Sequence, residues 1–375
     1  MPLLIPRSAA LAALVLIGVA CSGEEVIRPV DATGGGGGHV ASTDGSGGSR
    51  EAPSATGTGG ADASSTTTST GGGTSCVEPE VVVPDAVMVS ELVADEGGVY
   101  WIAGSSALYG RTLDGQPSLA AMIPEGSSHL AETASKLVWM VPSSAGAPAN
   151  GAILACDVTG CPQGFEVVVP GIRPDALAAD GDRLVWSGRD GNGVGGIWTC
   201  ALPACAPSLV WQSSGGSIFD IAVRARSGPD ATKYRIAWRS GADIVSCALE
   251  ACVPSLVAAA PQSPGGFAID GDFAYWGDWA TDSLRSCPLS GCATGGEELT
   301  PTGQPGSVVA HGGALFWTAG LMGAPPEIRR CADTSCSSGA TLLASAPCFA
   351  YAVDLSVTDH FVYYADASRI LRVPY

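Results

Sequence analysis

The cysteines are the residues whose type and spacing most directly indicate chemistry. Ten of the 13 cysteines form five pairs with one spacing, C-x4-C: Cys156 and Cys161, Cys200 and Cys205, Cys247 and Cys252, Cys287 and Cys292, and Cys331 and Cys336. Two thiols on opposite arms of a short hairpin can meet at disulfide distance. A structural zinc site needs four converging ligands, whereas successive pairs belong to different repeats of the sequence. We therefore predict five disulfides and an oxidising compartment.

The three remaining cysteines are Cys21, Cys76 and Cys348. The sequence leaves open whether Cys76 and Cys348 form a disulfide. Cys21 follows an apolar run at residues 9–20, which predicts a signal peptide over residues 1–20. Residues 17–21 resemble the lipobox of bacterial lipoproteins, and this resemblance implies acylation of Cys21 and export to the outer membrane. Gly18 stands where leucine is usual, so the alternative is ordinary cleavage that leaves Cys21 unmodified.

Carboxylates and histidines are the other residue types that could do chemistry. The paired carboxylates Asp180 and Asp182 could ligate a metal, but other repeats place Glu-Gly, Ala-Ser or Gly-Gly there, so we interpret them as turn residues. His129, His311 and His360 belong to different repeats. The folded region has no HExxH, GxSxG, Walker or dinucleotide-binding motif. We predict no catalytic residue, no metal site and no cofactor.

A ten-residue segment recurs along the chain and determines the predicted architecture. Six copies have no gap, and a seventh carries an insertion and ends at Trp238; the six begin at Leu92, Leu130, Leu177, Phe267, Val308 and Leu355. Each copy joins short β-type runs, and one such unit cannot bury its apolar face alone. Seven units between residues 76 and 375 have about 43 residues each, which suits four short strands. The prediction is an all-β, seven-bladed β-propeller.

The two ends of the folded region predict how the propeller closes. Only three residues follow the third strand of the last unit, at 369–372, so that unit lacks a fourth strand. Residues 76–84 parallel the fourth strand of another unit, at 161–170. We predict that this N-terminal strand completes the last blade and removes an open sheet edge. Residues 22–75, rich in Gly, Ser, Thr and Ala, are predicted to be a disordered tether between the signal peptide and the propeller at 76–375.

The second strands carry a short aromatic motif, as in Val99-Tyr100-Trp101 and Leu184-Val185-Trp186. With the segment GGVYWIAGSSALYGRTLDGQ of the first unit, these motifs resemble the YWTD-type propeller repeat over most of residues 80–375. The resemblance extends to TolB-like propellers. It implies a domain that binds proteins or has a periplasmic role, and it supplies no catalytic residues. The Thr-Asp of the motif is replaced here, and typical members of the family have six blades.

Net charge and loop variation limit the possible partners. The net charge is −18, which opposes binding to nucleic acid or anionic lipid, so we expect membrane contact only through the N-terminal lipid. The connections between the second and third strands differ most among the repeats, and variable loops on a rigid scaffold carry function. Their side chains able to make strong contacts are the candidate binding residues: Arg189, Asp190, Asp278, Trp279, Asp282 and Met322.

These observations predict an exported lipoprotein of the outer membrane or cell surface, or alternatively a periplasmic or secreted protein. We expect its propeller to be a non-catalytic binding module for a protein or carbohydrate on one face. One alternative is an extracellular enzyme, a lyase or hydrolase of a polymer, that uses Asp278, Asp282 or His129 in a central cleft. Another is an envelope-assembly scaffold. The sequence predicts no oligomeric state.

Overall fold

The computed structural model describes most of the folded region. The described residues are 78–86, 88–112, 115–143, 151–213, 218, 220–225, 233–259, 264–292, 295–320, 326–345, 354–366 and 368–375. The predicted signal peptide and tether lie outside them, as do Cys21, Cys76, Cys348 and Met322.

The described residues form β-strands joined by short connections. Their only helical element is a single 3-10 turn at Leu249–Ala251. No helix in this part of the chain has the length and apolar character needed to cross a membrane. The 27 strands are β1 (Glu80–Val83), β2 (Val89–Ala94), β3 (Gly98–Ala103), β4 (Ala107–Thr112), β5 (Ser118–Met122), β6 (Ser128–Glu132), β7 (Lys136–Val141), β8 (Gly151–Asp157), β9 (Glu166–Asp180), β10 (Arg183–Arg189), β11 (Gly195–Ala201), β12 (Ser208–Gln212), β13 (Ile221–Ala225), β14 (Tyr234–Ser240), β15 (Asp243–Ala248), β16 (Ser255–Ala258), β17 (Pro264–Asp270), β18 (Phe273–Asp278), β19 (Ser283–Pro288), β20 (Glu297–Pro301), β21 (Val308–His311), β22 (Ala314–Ala319), β23 (Glu327–Cys331), β24 (Ala340–Ser345), β25 (Leu355–Val357), β26 (Phe361–Ala365) and β27 (Ile370–Pro374).

The strands are arranged in antiparallel sheets, most of which have four strands in sequence order. These sheets are β2 to β5, β13 to β16, β17 to β20 and β21 to β24. Strands β6 to β12 form one seven-stranded sheet, because the 15-residue β9 pairs first with β8 and then with β10. Gly171, with φ of +70°, lies at the register shift near the end of the pairing with β8, just before the pairing with β10 begins at Arg173. In the remaining sheet, β1 pairs with β27, followed by β26 and β25.

The first strands of the repeat units contact one another in a cyclic order, and the first strand of the third unit is part of β9. Starting from β2, the contacts are β2 with β6, β6 with β9, β9 with β13, β13 with β17, β17 with β21, β21 with β25, and β25 with β2. Apolar side chains fill the space between consecutive sheets. The aromatic residue that ends each ten-residue segment is at most 2% exposed: Trp101, Trp139, Trp186, Trp238, Trp276, Trp317 and Tyr364. These rings therefore pack between neighbouring sheets.

The ten cysteines of the C-x4-C pairs form five disulfides, as predicted. Each bridge joins the end of a third strand to the connection that leads to the fourth strand, with Cα atoms 4.9 to 5.8 Å apart. The first cysteine of each pair lies at the same register of its sheet. Its partner on the second strand is the residue two positions before the aromatic that ends the ten-residue segment, so that Cys200 lies opposite Leu184 and the aromatic is Trp186. In the first sheet Arg111 takes this place, opposite Val99. In the last sheet Val373 takes it, opposite Val362.

Candidate functional site

The candidate binding residues that the structure describes lie at one end of the sheets, which we call the loop face. In an antiparallel sheet with this strand order, the connections from second to third strand emerge at the same end as those from a fourth strand to the next sheet. In the described chain these include the connections β10–β11 and β18–β19 and the segment 302–307 after β20. The start of each first strand lies at this end too.

The β10–β11 connection is shorter than expected, because β10 continues through Arg189. The Asp190 carboxylate accepts hydrogen bonds from the backbone N–H groups of Asn192, at 2.9 Å, and Val194, at 2.8 Å, and so closes its own loop. Arg189 is exposed. Burial raises the pKa of nearby Asp175, and the positive charges of Arg189 and Arg173 oppose that rise. A partner can therefore reach Arg189 in this loop, and it can also reach the exposed Asn192.

Asp278 is buried, with 6% of its surface exposed. Its carboxylate accepts a hydrogen bond from the Ala280 backbone N–H and lies 3.0 Å from Nε of Arg285. A buried carboxylate that is paired in this way fixes the conformation of its turn. Sequence spacing placed Asp278 in a loop, whereas the structure places it at the end of β18.

Trp279 follows directly and is 43% exposed. Its indole N–H donates a hydrogen bond to the carbonyl of Pro305, in the segment that leads to the next sheet. Asp282 contacts the same segment, since its carboxylate accepts a hydrogen bond from the Gln304 backbone N–H and its carbonyl accepts one from that of Thr302. The β18–β19 connection is therefore held against its neighbour, with the Trp279 ring fixed in orientation at the surface.

Four titratable residues that the sequence analysis did not choose together share one position of the repeat. Each immediately precedes a copy of the ten-residue segment, at or near the start of a first strand: Glu91, His129, Asp220 and Asp354. We call them the entry group. The signal was present in the sequence, because aligning the copies and reading one residue further towards the N-terminus finds three of them. The insertion in the fourth unit concealed Asp220.

The members of the entry group influence one another electrostatically. Burial raises the pKa of Glu91 to about 7, the negative charge of Asp354 adds to the rise, and a hydrogen bond from the His129 backbone opposes it. Burial raises the pKa of Asp354 to about 6, against hydrogen bonds from the backbone of Leu92 and Leu355. Burial lowers the pKa of His129, and the charge of Asp220 opposes this. Asp220 also forms an ion pair with Arg239.

Glu91 and Asp354 can accept and release protons near neutral pH. Shifted pKa values of this kind occur at catalytic sites and in structural charge networks alike. Across the described part of the chain, no three His, Cys, Asp or Glu side chains are placed to hold a metal ion.

No protein-family model matches the chain, and no curated protein matches its sequence. Solved structures match its fold. Virginiamycin B lyase from Staphylococcus aureus is 13% identical, with a TM-score of 0.56 over 79% of this chain and 98% of that chain. The WD40 β-propeller domain of Doa1 is 10% identical, with a TM-score of 0.55 over 80% and 96%. A chain of the mitotic checkpoint complex is 13% identical, with a TM-score of 0.56 over 80% and 94%. At these identities the likeness concerns the fold alone: this chain is an all-β protein with a β-propeller fold.

Proposed function

We propose that the propeller has seven blades and is closed by its N-terminal strand. The cyclic contacts among seven first strands support this, as does the pairing of β1 with β27. Arg372 on β27 also donates from Nε and Nη2 to the two carboxylate oxygens of Glu80 on β1, at 2.9 and 3.0 Å. Deleting residues 76–84 should remove cooperative unfolding, and an unchanged melting transition would contradict this closure.

The second element of the proposal is anchoring at a membrane through the N-terminus. Residues 1–20 direct export, and Cys21 is acylated. Residues 22–75 are a flexible tether whose mean end-to-end distance, roughly 40 Å, separates the propeller from the membrane. Disulfides persist in oxidising compartments, so the five bridges support export. Cys21→Ala should release the protein into the soluble fraction. Retention of that variant in the membrane would rule out the lipid anchor.

The function that the geometry supports best is non-catalytic binding of a protein at the loop face. The observation that carries this proposal is Trp279, an exposed ring that its hydrogen bond to Pro305 already holds in place. Aromatic anchors dominate the energetics of protein interfaces, and an anchor ordered before binding loses little entropy on association. Arg189 is a second exposed contact, and Met322 is proposed from the sequence. A carbohydrate at this face is the alternative ligand.

The test compares two aromatic-to-alanine substitutions at opposite ends of one strand. Phe273 is 42% exposed and begins β18, whereas Trp279 follows its end, so Phe273→Ala is a matched control on the other face. Partners are captured by cross-linking on intact cells and identified by mass spectrometry. We expect Trp279→Ala to lose a partner that the Phe273→Ala variant retains. An identical partner set for both variants would reject the loop face as the binding surface.

A second candidate function is an extracellular lyase or hydrolase that acts on a polymer. The entry group favours it, because a carboxyl with a pKa of about 7 beside a histidine can exchange protons at neutral pH. Incubation with a panel of anionic and neutral polysaccharides should then release new chain ends. Glu91→Gln should abolish this activity without lowering the melting temperature. Absence of depolymerisation of every polymer by the wild-type protein would count against this function.

A further inference from the structure

A cavity lies beside the first sheet, where the chain passes from β1 to β2. Its volume is about 350 Å³, and side chains from strands β3 and β4 form its floor. Ligand pockets commonly measure about 300 to 1,000 Å³, so this one has room for a group the size of a single ring. Its lining does not include Trp279 or the entry group.

Two stacked aromatic rings make the floor of this cavity flat and rigid. The Trp101 and Tyr109 rings are nearly parallel, with an angle of 13° between their planes and 5.5 Å between their centroids. Trp101 is only 2% exposed, whereas Tyr109 is partly exposed. The indole therefore supports the phenol ring from behind, and Tyr109 presents an apolar face to a ligand.

Two planar polar groups stand at the rim on separate segments. Asp85 follows β1, and Gln116 precedes β5; both side chains are exposed. Among the described residues, neither side chain has a hydrogen-bond partner. A carboxylate accepts hydrogen bonds, and an amide both donates and accepts them. Together they match a ligand edge that carries hydroxyl groups. The exposed rings of Pro84 and Pro117 extend the apolar wall.

The cavity occurs where the sequence departs from its own repeat. Gln116 takes the place of the second cysteine of the other units, and Arg111 takes the place of the first. Nε of Arg111 donates to the Gly115 carbonyl at 2.8 Å, and Nη1 donates to the Val82 carbonyl on β1. Arg111 therefore closes the hairpin without residue 116, which leaves the Gln116 amide free to contact a ligand.

We propose that this cavity binds one neutral saccharide ring. The apolar C–H face of the ring stacks on Tyr109, and hydroxyls at its edge bond to Asp85 and Gln116. A purely apolar ligand would form no hydrogen bond with either polar group. A cation would gain little from the exposed Asp85 carboxylate, because surface ion pairs are weak. This site adds a small-ligand pocket to the proposed binding function and does not depend on the loop face.

The experiment uses methyl glycosides of glucose, galactose, mannose and N-acetylglucosamine as probes, with saturation-transfer NMR on the full exported protein. At least one glycoside should bind with a dissociation constant below about 10 mM, which is ordinary for a single ring. Tyr109→Leu keeps an apolar side chain without the aromatic face and should weaken binding at least tenfold. Asp85→Asn and Gln116→Ala should each weaken it several-fold, whereas Trp279→Ala should leave it unchanged.

The same data contain the results that would overturn the proposal. Failure of all four glycosides to bind would do so, as would binding that survives Tyr109→Leu and Asp85→Asn. Melting curves identify variants that fail to fold. If Tyr109→Leu does not fold, the binding measured for Asp85→Asn and Gln116→Ala tests the proposal. Choline and arginine methyl ester serve as cationic probes, and their binding in place of the glycosides would reject the saccharide class. Loss of protein partners in Trp279→Ala is measured separately, so failure at either site is distinguishable.

Discussion

The hairpin that ends β4 and the five disulfide hairpins show two ways of closing the same turn. In the five, both residues of the C-x4-C spacing are consumed by the bridge. In the first sheet, Arg111 alone closes the turn through Gly115 and also contacts Val82 of the neighbouring sheet. The Arg111 side chain thus takes the place of a disulfide. It forms one hydrogen bond within its own hairpin and one to the neighbouring sheet. A departure from a repeat can therefore free one residue for a ligand while keeping the fold.

The strongest test of this comparison is reduction of all five disulfides. Each short loop contributes about 2 kcal/mol by the chain-entropy estimate, so reduction should lower the melting temperature by roughly 10–20 °C. The hairpin held by Arg111 has no bond to reduce. Hydrogen exchange below the new transition should therefore accelerate in the five bridged hairpins and not at residues 107–112. Equal acceleration in all six would show that the two closures do not differ.

A single substitution tests the hydrogen bonds to Arg111. Arg111→Ala leaves the carbonyls of Gly115 and Val82 without their donor and should lower the free energy of unfolding by about 2–3 kcal/mol. Hydrogen exchange should also increase in β1, which Arg111 contacts. Arg111→Lys keeps the charge without the forked geometry, so its free energy of unfolding should lie between those of the wild type and Arg111→Ala. As the matched bridged case, Cys247→Ser with Cys252→Ser should cost about 2 kcal/mol and leave β1 protected.

The stability of the contact between the first and last sheets should depend on pH, whereas that of the bridged hairpins should not. Folding raises the pKa of Glu91 from 4.5 to about 7, so the folded state binds this proton more tightly. The stabilising effect of protonation is fully present below pH 4.5 and is lost as the pH rises through about 7. Glu91→Gln should therefore stabilise the fold at pH 8 by about 1–2 kcal/mol and change nothing at pH 4.

Chemical denaturation at the two pH values measures this difference. The exposed Glu297 on β20 is the control, because Glu297→Gln removes the same charge without removing a buried carboxyl. Equal effects of both substitutions, or a gain that persists at pH 4, would contradict the assignment of the pH dependence to Glu91.

The smallest effect on stability is expected when the first hairpin is converted into the bridged kind. The double variant Arg111→Cys with Gln116→Cys restores the C-x4-C spacing in the register of the other five. It gains a bridge and loses the bonds to Gly115 and Val82, so its net stability should change by less than about 1 kcal/mol. Mass spectrometry without reduction should show a sixth disulfide. Two free thiols would show that this hairpin does not share the geometry of the others.

The sequence predicts most of the fold, because each unit repeats the same local signals. The short β-type runs of each copy and the aromatic residue at its end identified the strands. The C-x4-C spacing identified the disulfides. The continuity of β9 was not predicted, since Pro170-Gly171 has the composition of a loop. In the structure, Gly171 adopts a positive φ and the strand continues beyond it.

The candidate sites are less predictable because their properties depend on contacts distant in sequence. Pro305 fixes the exposed Trp279, and Arg285 neutralises the buried Asp278. The saccharide cavity joins residues on both sides of β2, and the sequence shows only that Gln116 is not a cysteine. The entry group is the exception, since its shared position in the repeat can be read from aligned copies.

The pairing of β1 with β27 also has a consequence for the order of synthesis. Ribosomes make β1 long before β27, so β1 has no partner strand on this side until β27 emerges. A product that stops before β27 would expose the backbone edge of β1 to other chains and to proteases. Synthesis of β27 is therefore the step that covers this edge.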